Sequence, residues 1–549
     1  GRLPELRIGF QAACGAFRNV TNLIQTTDFS FLRDGFGFWG PGTVFSGRII
    51  SAMYLRAGVF SLGLLLLSRV LGLARESVQA AAFGATGLGD VVIVMFTLPD
   101  LLVGIFISGA LAYVLLPHWA QQDGAAQNAS QKKVSAFLLV AGAGLGLGIW
   151  LLRDVLAQAL APGLAGEMKT LGAASLAWSA VALPMAMLAA LWTTRLQHER
   201  DFVGMYAGNL VINAVLIAGL LEVAWVGQAG AIAALGLFLV FAMLLRMGWL
   251  GWRLRFVRAA IPAADACAVK AGLSSLPRAS IWIWAGLSSG LLLLLPLAGR
   301  SIASQGGEGA LASFNYAWKL VELPLVLAVQ LVATLAFPAI TRTGEGTPER
   351  AAALRVAFAL AWALACAAAA IIATFSLPLA GLLFGWGRMG EEHLQVIARW
   401  STIGVWSLLP QALIAVMLTI MAISQRMHVA VWAYVAGMAI MLLFGLIPDW
   451  GLEKGAVVMW LLNGVLAGVA LVLMVAERRT VANAFPWLPC LASLALAVLL
   501  TSLKPMWDGR SIQFTMIASC AYGLLIVGSA VLASPQLRRL LFARLRRTA

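Results

Sequence analysis

Charged side chains are scarce in this chain of 549 residues, at 11%, whereas hydrophobic side chains make up 61%. Soluble domains carry about a quarter charged residues, so the composition excludes an ordinary water-soluble protein. The five cysteines are widely separated and form no CxxC pair, and the four histidines are isolated. These spacings give no support for a metal site or a disulfide framework.

Long apolar segments account for most of the chain. Each of fourteen predicted segments is long enough to cross the hydrocarbon core as a helix, which takes about 17 to 25 residues. The predicted segments are 58–74, 91–116, 134–152, 172–194, 203–223, 227–250, 280–298, 314–337, 354–374, 397–423, 429–447, 455–475, 486–503 and 513–533. Because they are apolar on every face, the sequence predicts an all-α polytopic membrane protein.

A weak internal repeat divides these segments into two lobes of six helices each. A Leu-Pro pair occurs at 98–99 and again at 323–324, and Pro338 follows Pro117 by 221 positions. An even number of spans separates the paired segments, which indicates a pseudo-two-fold axis along the membrane normal. The predicted domains are an amino-terminal extension at 1–52, lobes at 53–250 and 280–480, a basic linker at 251–279, two further helices at 481–535 and a basic tail at 536–549.

The net charge of +15 is distributed unevenly over the loops. Most Lys and Arg residues lie on the side of the chain's carboxyl end, which by the positive-inside rule predicts that both termini are cytoplasmic. The clusters that we expect to contact anionic lipid, rather than nucleic acid, contain Arg253, Arg255, Arg258, Arg538, Arg539, Arg544, Arg546 and Arg547.

Charges within or at the ends of the apolar segments are candidate functional residues, because each costs roughly 2.5 to 3.5 kcal/mol in hydrocarbon. The candidates are Arg69, Arg75, Asp90, Lys319 and Glu322. Structural interpretations remain open for all of them. Arg69 can extend to the interface, Arg75 can form a surface ion pair, and Asp90 can cap its own helix. Lys319 and Glu322 can form an i, i+3 pair.

Two nominal catalytic motifs lack the structural setting that their chemistry needs. A GxGxxG match at 35–40 has no strand before it, and a GxSxG match at 286–290 lies in the middle of a predicted helix. The second match also reads as GxxxG, a small-residue surface for helix packing. We therefore expect a transporter or a scaffold, and not an enzyme.

Several motifs together resemble the MurJ (MviN) family of lipid II flippases, within the multidrug/oligosaccharidyl-lipid/polysaccharide exporter superfamily. Residues 68–76 read SRVLGLARE, residues 98–102 read LPDLL, and residues 316–324 read YAWKLVELP. The first of these blocks is quite specific, and the others support it. The resemblance extends from about Leu55 to the end of the chain.

The resemblance implies a flippase that moves lipid II, an undecaprenyl-diphosphate-linked peptidoglycan precursor, from the cytoplasmic to the periplasmic leaflet of the bacterial inner membrane by alternating access. It implies a substrate site in which Arg69, Arg75 and Lys319 hold the diphosphate between the lobes. Asp90 and Glu322 belong to the same expected site. The expected partners are the lipid-linked oligosaccharide diphosphate and membrane lipids, with no cofactor.

Two departures from the family pattern keep alternatives open. The family usually has a basic pair after the Leu-Pro motif, where this chain has Val103 and Gly104, and an Asp-Arg pair where it has Trp318 and Lys319. Another polyprenol-linked glycan, such as an exopolysaccharide unit, is therefore an alternative substrate. A non-transporting envelope scaffold and a drug/cation antiporter are alternatives of other classes.

Overall fold

The described part of the chain is helical and contains no β-strand. The computed structural model describes residues 47–106, 110–120, 122, 124–227, 230–259, 276–277, 279–324, 347–424, 426–447, 453–507 and 511–539. The first helices are α1 (Gly47–Phe83), α2 (Gly87–Ile105), α3 (Leu111–Trp119), α4 (Gly124–Leu151), α5 (Arg153–Leu160), α6 (Gly166–His198), α7 (Phe202–Val226) and α8 (Ala231–Ala259). The others are α9 (Ala279–Ser304), α10 (310–324), α11 (Pro348–Phe384), α12 (Glu391–Gly404), α13 (Leu408–Ile423), α14 (Met427–Gly445), α15 (Lys454–Ala476), α16 (Arg478–Ala484), α17 (Trp487–Ser502) and α18 (Ile512–Ala533).

Eleven helices in the described ranges are long and apolar enough to cross a membrane, or up to twelve if α16 and α17, bent by 77°, form one span. The predicted all-α polytopic membrane fold is thus confirmed, whereas the number of fourteen spans is not. Segment 58–74 belongs to α1, which is not among the eleven, and segment 314–337 is described only as far as Pro324. Segment 486–503 belongs to the bent pair.

Local sequence explains where several helices begin and end. The Thr86 hydroxyl accepts a hydrogen bond from the Gly89 N–H and caps α2, and the Asp201 carboxylate accepts one from the Gly204 N–H and caps α7. Such caps satisfy N–H groups that have no partner within the helix. Gly84 follows α1 with φ of +65°, a backbone conformation that favours glycine.

Prolines lie inside several of the long helices. Pro99 lies in α2, Pro184 in α6 and Pro296 in α9. In α11 the backbone leaves helical geometry at Phe375, with φ of −110° and ψ of 24°, three residues before Pro378. A proline removes one helical hydrogen bond and clashes with the preceding turn, so the bend in α11 has a local cause.

Packing repeats between the two halves of the unit Leu71–Ala549. In the amino-terminal half α6 packs on α4 and α8, and α8 packs on α7. In the carboxyl-terminal half α13 packs on α11 and α15, and α15 packs on α14. The helices α17 and α18 pack on each other and on α11. This repetition agrees with two lobes followed by two extra helices.

The predicted domain limits stay predictions. The chain forms two compact units, Gly1–Val70 and Leu71–Ala549, and α1 begins at Gly47, inside the predicted extension. Helix α8 continues to Ala259, and residues 260–275 of the predicted basic linker lie outside the described residues. The predicted tail is described only as far as residue 539.

Candidate functional site

Arg75 is the centre of a buried ion-pair network between α1, α2 and α10. Its Nη2 donates to the Glu76 Oε1 at 2.9 Å and to the Asp100 Oδ2 at 3.0 Å. The guanidinium also lies over the Phe96 ring, 5.6 Å from the centroid. Glu76 in turn accepts a hydrogen bond from the Asn315 Nδ2 at 3.2 Å. The network therefore joins the two halves of the chain deep inside the bundle.

Lys319 and Glu322 add a second pair on α10. The Lys319 Nζ donates to the Glu322 Oε2 at 3.0 Å, so the predicted i, i+3 contact is present. Their side chains are 28% and 37% exposed, in contrast to the buried pair of Arg75 and Glu76. Lys319 also attracts the Glu76 carboxylate electrostatically. The two pairs thus form one group, which we call the interior charged cluster (Arg75, Glu76, Asp100, Lys319 and Glu322).

Asp90 does not cap its own helix, because the Thr86 hydroxyl already does so. The Asp90 Oδ2 accepts from the Gly309 N–H at 2.8 Å, and the Oδ1 accepts from the Ala312 N–H at 2.7 Å. Both donors belong to the start of α10, in the other half of the chain. Asp90 is 2% exposed, so these two bonds occupy a buried carboxylate. It therefore caps a helix more than 200 positions away in the sequence.

A reciprocal bond caps α2. The Glu308 Oε1 accepts from the Gly87 N–H at 3.0 Å, so each of the two helix starts is bonded to a carboxylate from the other half. The approach is close, because a Cβ added at Gly309 would clash with the Ala85 carbonyl, and Gly309 has φ of +78°. We call Asp90, Glu308 and the backbone groups that they bind the reciprocal caps. They join the halves where α2 and α10 begin.

The structure places the five predicted site residues differently. Arg75, Lys319 and Glu322 belong to the interior charged cluster, Asp90 belongs to the reciprocal caps, and the Arg69 side chain on α1 is exposed. Sequence reasoning missed Asp100 and Asn315, the partners of Arg75 and Glu76. Their signal was present, because both are polar residues within predicted apolar segments.

Comparison with protein families gives a clear assignment. The family model of the lipid II flippase MurJ matches residues 79–519. The chain belongs to this family. The match confirms the resemblance that the sequence motifs carry. It includes the reciprocal caps and three members of the interior charged cluster, Asp100, Lys319 and Glu322.

Curated relatives carry the same family name. The lipid II flippase MurJ of Burkholderia cenocepacia is 26% identical over 357 residues, which are 61% of this chain and 67% of the relative. The probable lipid II flippase MurJ of Rhizobium meliloti is 25% identical over 350 residues, 60% of this chain and 63% of that protein. The chain thus spans about two thirds of the length of these relatives.

Solved structures with the same fold belong to transporters. A lipid II flippase MurJ in an inward closed conformation covers 88% of this chain and 100% of its own, with a TM-score of 0.71 and 14% identity. An inward-facing multidrug resistance MATE family transporter of the MOP superfamily covers 76% of this chain and 95% of its own, with a TM-score of 0.60 and 13% identity. These matches show that the fold is that of MurJ and MATE transporters.

Proposed function

We propose that this protein moves lipid II across the membrane by alternating access, with the diphosphate passing through the interior charged cluster. The observation that carries the proposal is the pair of cations Arg75 and Lys319, from opposite halves of the chain, which both attract the buried Glu76 carboxylate. Charges in a membrane interior are costly and are retained for substrate or ion pathways. Family membership supports the substrate class.

The chemistry of the head group matches these cations. A diphosphate must cross about 30 Å of hydrocarbon, so it needs donors that replace its hydration shell. The Arg75 guanidinium stays protonated and presents a planar fork, which suits two phosphate oxygens, whereas the Lys319 ammonium acts as a point charge. Lys319 is partly exposed, and its ion pair among the described residues is with Glu322 on the same helix, so it is the easier of the two to turn toward a ligand.

Alternating access requires one contact between the halves that can open. We propose that the reciprocal caps are this contact. Asp90 and Glu308 are carboxylates at positive helix ends. Each of the two bonds to the buried Asp90 contributes about 1.5 to 3 kcal/mol, and the bond to the exposed Glu308 contributes less. Together these bonds are strong enough to favour one state and weak enough to break when substrate favours the other.

A second candidate substrate is another polyprenol-linked glycan. The uncharged residues Val103 and Gly104 favour it, because they supply no cation where the family pattern usually has two. The diphosphate chemistry would be the same, and only the sugar would differ.

We also propose that the protein lies in the bacterial inner membrane with both termini cytoplasmic and with anionic lipid at the basic loops. At the end of α8 the Arg253 guanidinium donates two hydrogen bonds to Asp201, at 2.9 and 2.7 Å, while Arg255 is exposed. The Trp252 and Phe256 rings meet edge to face at the same end, 4.9 Å between centroids. Aromatic and basic side chains of this kind are typical of a membrane interface, so Arg255 is the better lipid contact.

Reconstitution of the full chain into vesicles that contain lipid II tests the proposed function. The measurement is the fraction of lipid II that an enzyme added outside can reach. We expect the wild type to equilibrate lipid II between leaflets and Lys319→Ala to lose this activity. Lys454→Ala is a matched control, because the Lys454 Nζ donates to the Gln305 Oε1 at 2.8 Å, outside the interior charged cluster.

The possible results separate the candidates. Vesicles with wild-type protein that equilibrate lipid II no faster than protein-free vesicles contradict lipid II as substrate. Transport of a different diphosphate-linked glycan in the same vesicles supports the second candidate. Equal activity of Lys319→Ala and the wild type removes the interior charged cluster from the mechanism.

A further inference from the structure

Two further arginines lie inside the bundle, and each has a buried donor group without an acceptor in the part of the chain that the structure describes. Arg246 on α8 is 2% exposed, and Arg300 on α9 is half-buried. The Nε of each is buried and has no hydrogen-bond partner among the described residues. An unsatisfied buried donor destabilises a protein, and more so when it is charged. Such groups need an explanation, and a ligand that supplies acceptors is one.

Neighbours of Arg300 on α9 contact the amino-terminal half. Leu293, seven residues earlier, reaches within 3.0 Å of the place that a Cβ at Gly104 would occupy. Ser304, four residues later, accepts a hydrogen bond on its Oγ from the Gly163 N–H at 3.3 Å. Residues spaced by four and seven lie on one face of a helix. Arg300 therefore lies on the face of α9 that contacts the other half.

The same packing gives the depth of Arg300. Ile105 contacts Gly290 and Gly104 contacts Leu293, so α2 and α9 run antiparallel. Seven residues advance a helix by about 10 Å, which brings Arg300 opposite the part of α2 around Phe96. This is the level at which the Arg75 guanidinium stacks on Phe96. Arg300 also attracts the carboxylates of Glu76 and Glu322, without an ion-pair contact to either.

Arg246 reaches the same region from the amino-terminal half. Its Nη2 donates to the Asn209 Oδ1 on α7 at 2.9 Å. It is attracted by Asp100, the carboxylate that accepts from Arg75 at 3.0 Å. The Asp100 side chain is 50% exposed, whereas the Arg75 side chain is 10% exposed. Asp100 is thus the accessible carboxylate that pairs with Arg75, and it attracts Arg246 without an ion-pair contact.

We propose that Arg300 and Arg246 are additional binding residues for the diphosphate, Arg300 together with Lys319 on one side and Arg246 together with Arg75 on the other. In this arrangement the phosphate oxygens replace the Asp100 carboxylate at Arg75 and accept from the open Nε groups. The inference rests on the proposed function and deepens it. It assigns the dianionic head group to a site in which the Asp100 carboxylate competes with the ligand for Arg75.

Calorimetric titration of the purified full-length protein with farnesyl diphosphate tests the assignment, because this probe is a diphosphate on a short, water-soluble chain. Arg300→Gln and Arg246→Gln should each weaken binding by at least about tenfold, which is about 1.4 kcal/mol, since each removes one cation from a buried charge contact. Arg300→Lys should retain more affinity than Arg300→Gln. Arg399→Gln is the control, because Arg399 is 67% exposed and pairs with Glu453.

The Asp100→Asn variant should change binding in a direction that a purely structural role of these residues would not predict. Removing the competing carboxylate should tighten binding of farnesyl diphosphate and leave farnesol, which has no charge, unbound as before. This variant also keeps the inference testable if either Gln variant fails to fold. Unchanged or weaker binding in Asp100→Asn contradicts the competition.

Failure of this inference differs from failure of the proposed function. If Lys319→Ala loses affinity while both Gln variants keep it, Arg300 and Arg246 are not binding residues and the proposed function stands. If the wild type binds no farnesyl diphosphate and moves no lipid II, both proposals are wrong.

Discussion

The same two helices, α2 and α10, carry charged groups of two different kinds. Where they begin, Asp90 and Glu308 accept hydrogen bonds from backbone N–H groups, and Asp90 uses both of its oxygens. Further along, Asp100 and Lys319 are partly exposed. Asp90 is buried and bonded through both oxygens, so it stabilises one conformation, whereas the partly exposed Asp100 and Lys319 can bind a ligand.

The difference predicts distinct effects of mutation. Removal of a reciprocal cap should change the equilibrium between conformations and leave the affinity of the interior charged cluster for a diphosphate unchanged. Removal of a cation from the cluster should change affinity first. Arg75 belongs to the cluster but is buried and pairs with Glu76 and Asp100, so its loss should affect both stability and binding.

We expect the largest effect from Arg75→Ala. The substitution leaves Glu76 buried without its cation and frees Asp100, and breaking a buried pair costs about 3 to 5 kcal/mol. The unfolding temperature in detergent should fall and transport in vesicles should be lost. Arg75→Lys keeps the charge without the fork and should be intermediate. An unchanged unfolding temperature in Arg75→Ala would mean that the network contributes little to stability.

Asp90→Asn should have the next largest effect. The amide cannot serve as a charged acceptor for both the Gly309 and Ala312 N–H groups, which removes about 1.5 to 3 kcal/mol from the contact. Hydrogen exchange of residues 309–312 should accelerate by roughly 10- to 100-fold. Asp154→Asn on α5 is the control. If residues 309–312 exchange at the wild-type rate in Asp90→Asn, Asp90 does not control the opening of this contact.

Much of the fold could be predicted from sequence, because long apolar segments leave little choice of structure in a membrane. The site could be predicted only in part. The i, i+3 pair of Lys319 and Glu322 is local, so spacing alone identified it. The partners of Asp90 lie 219 and 222 positions away, and no local pattern relates them. The sequence therefore predicted Asp90 as a cap of its own helix, α2, whereas it caps α10 in the other half.

Arg300 and Arg246 escaped notice for a different reason. The predicted segment 280–298 ended before Arg300, whereas α9 continues to Ser304, so an interior residue was assigned to a loop. Arg246 lies near the end of predicted segment 227–250, where a basic residue is ordinary under the positive-inside rule. Helix ends are set by packing and caps, which single-sequence hydropathy does not contain.

Glu308→Gln should have a smaller effect than Asp90→Asn. Glu308 makes one of the reciprocal bonds, to the Gly87 N–H, and the glutamine amide keeps an oxygen that can accept it. We expect a loss of about 0.5 to 1.5 kcal/mol, the range of a neutral hydrogen bond. Exchange at the start of α2 should accelerate less than exchange at 309–312 does in Asp90→Asn. A larger acceleration in Glu308→Gln than in Asp90→Asn would mean that the number of hydrogen bonds in each cap does not set its strength.

Arg253→Gln should have the smallest effect and sets the baseline for the comparison. The Arg253 and Asp201 side chains are 26% and 9% exposed, and partly exposed ion pairs contribute about 1 kcal/mol or less. Stability should fall slightly, the loss should shrink as salt rises, and transport should persist. Asp201→Ala should cost more, because Asp201 also caps α7 through the Gly204 N–H. Abolished transport in Arg253→Gln, with the protein still folded, would mean that charge outside the interior also acts on the substrate.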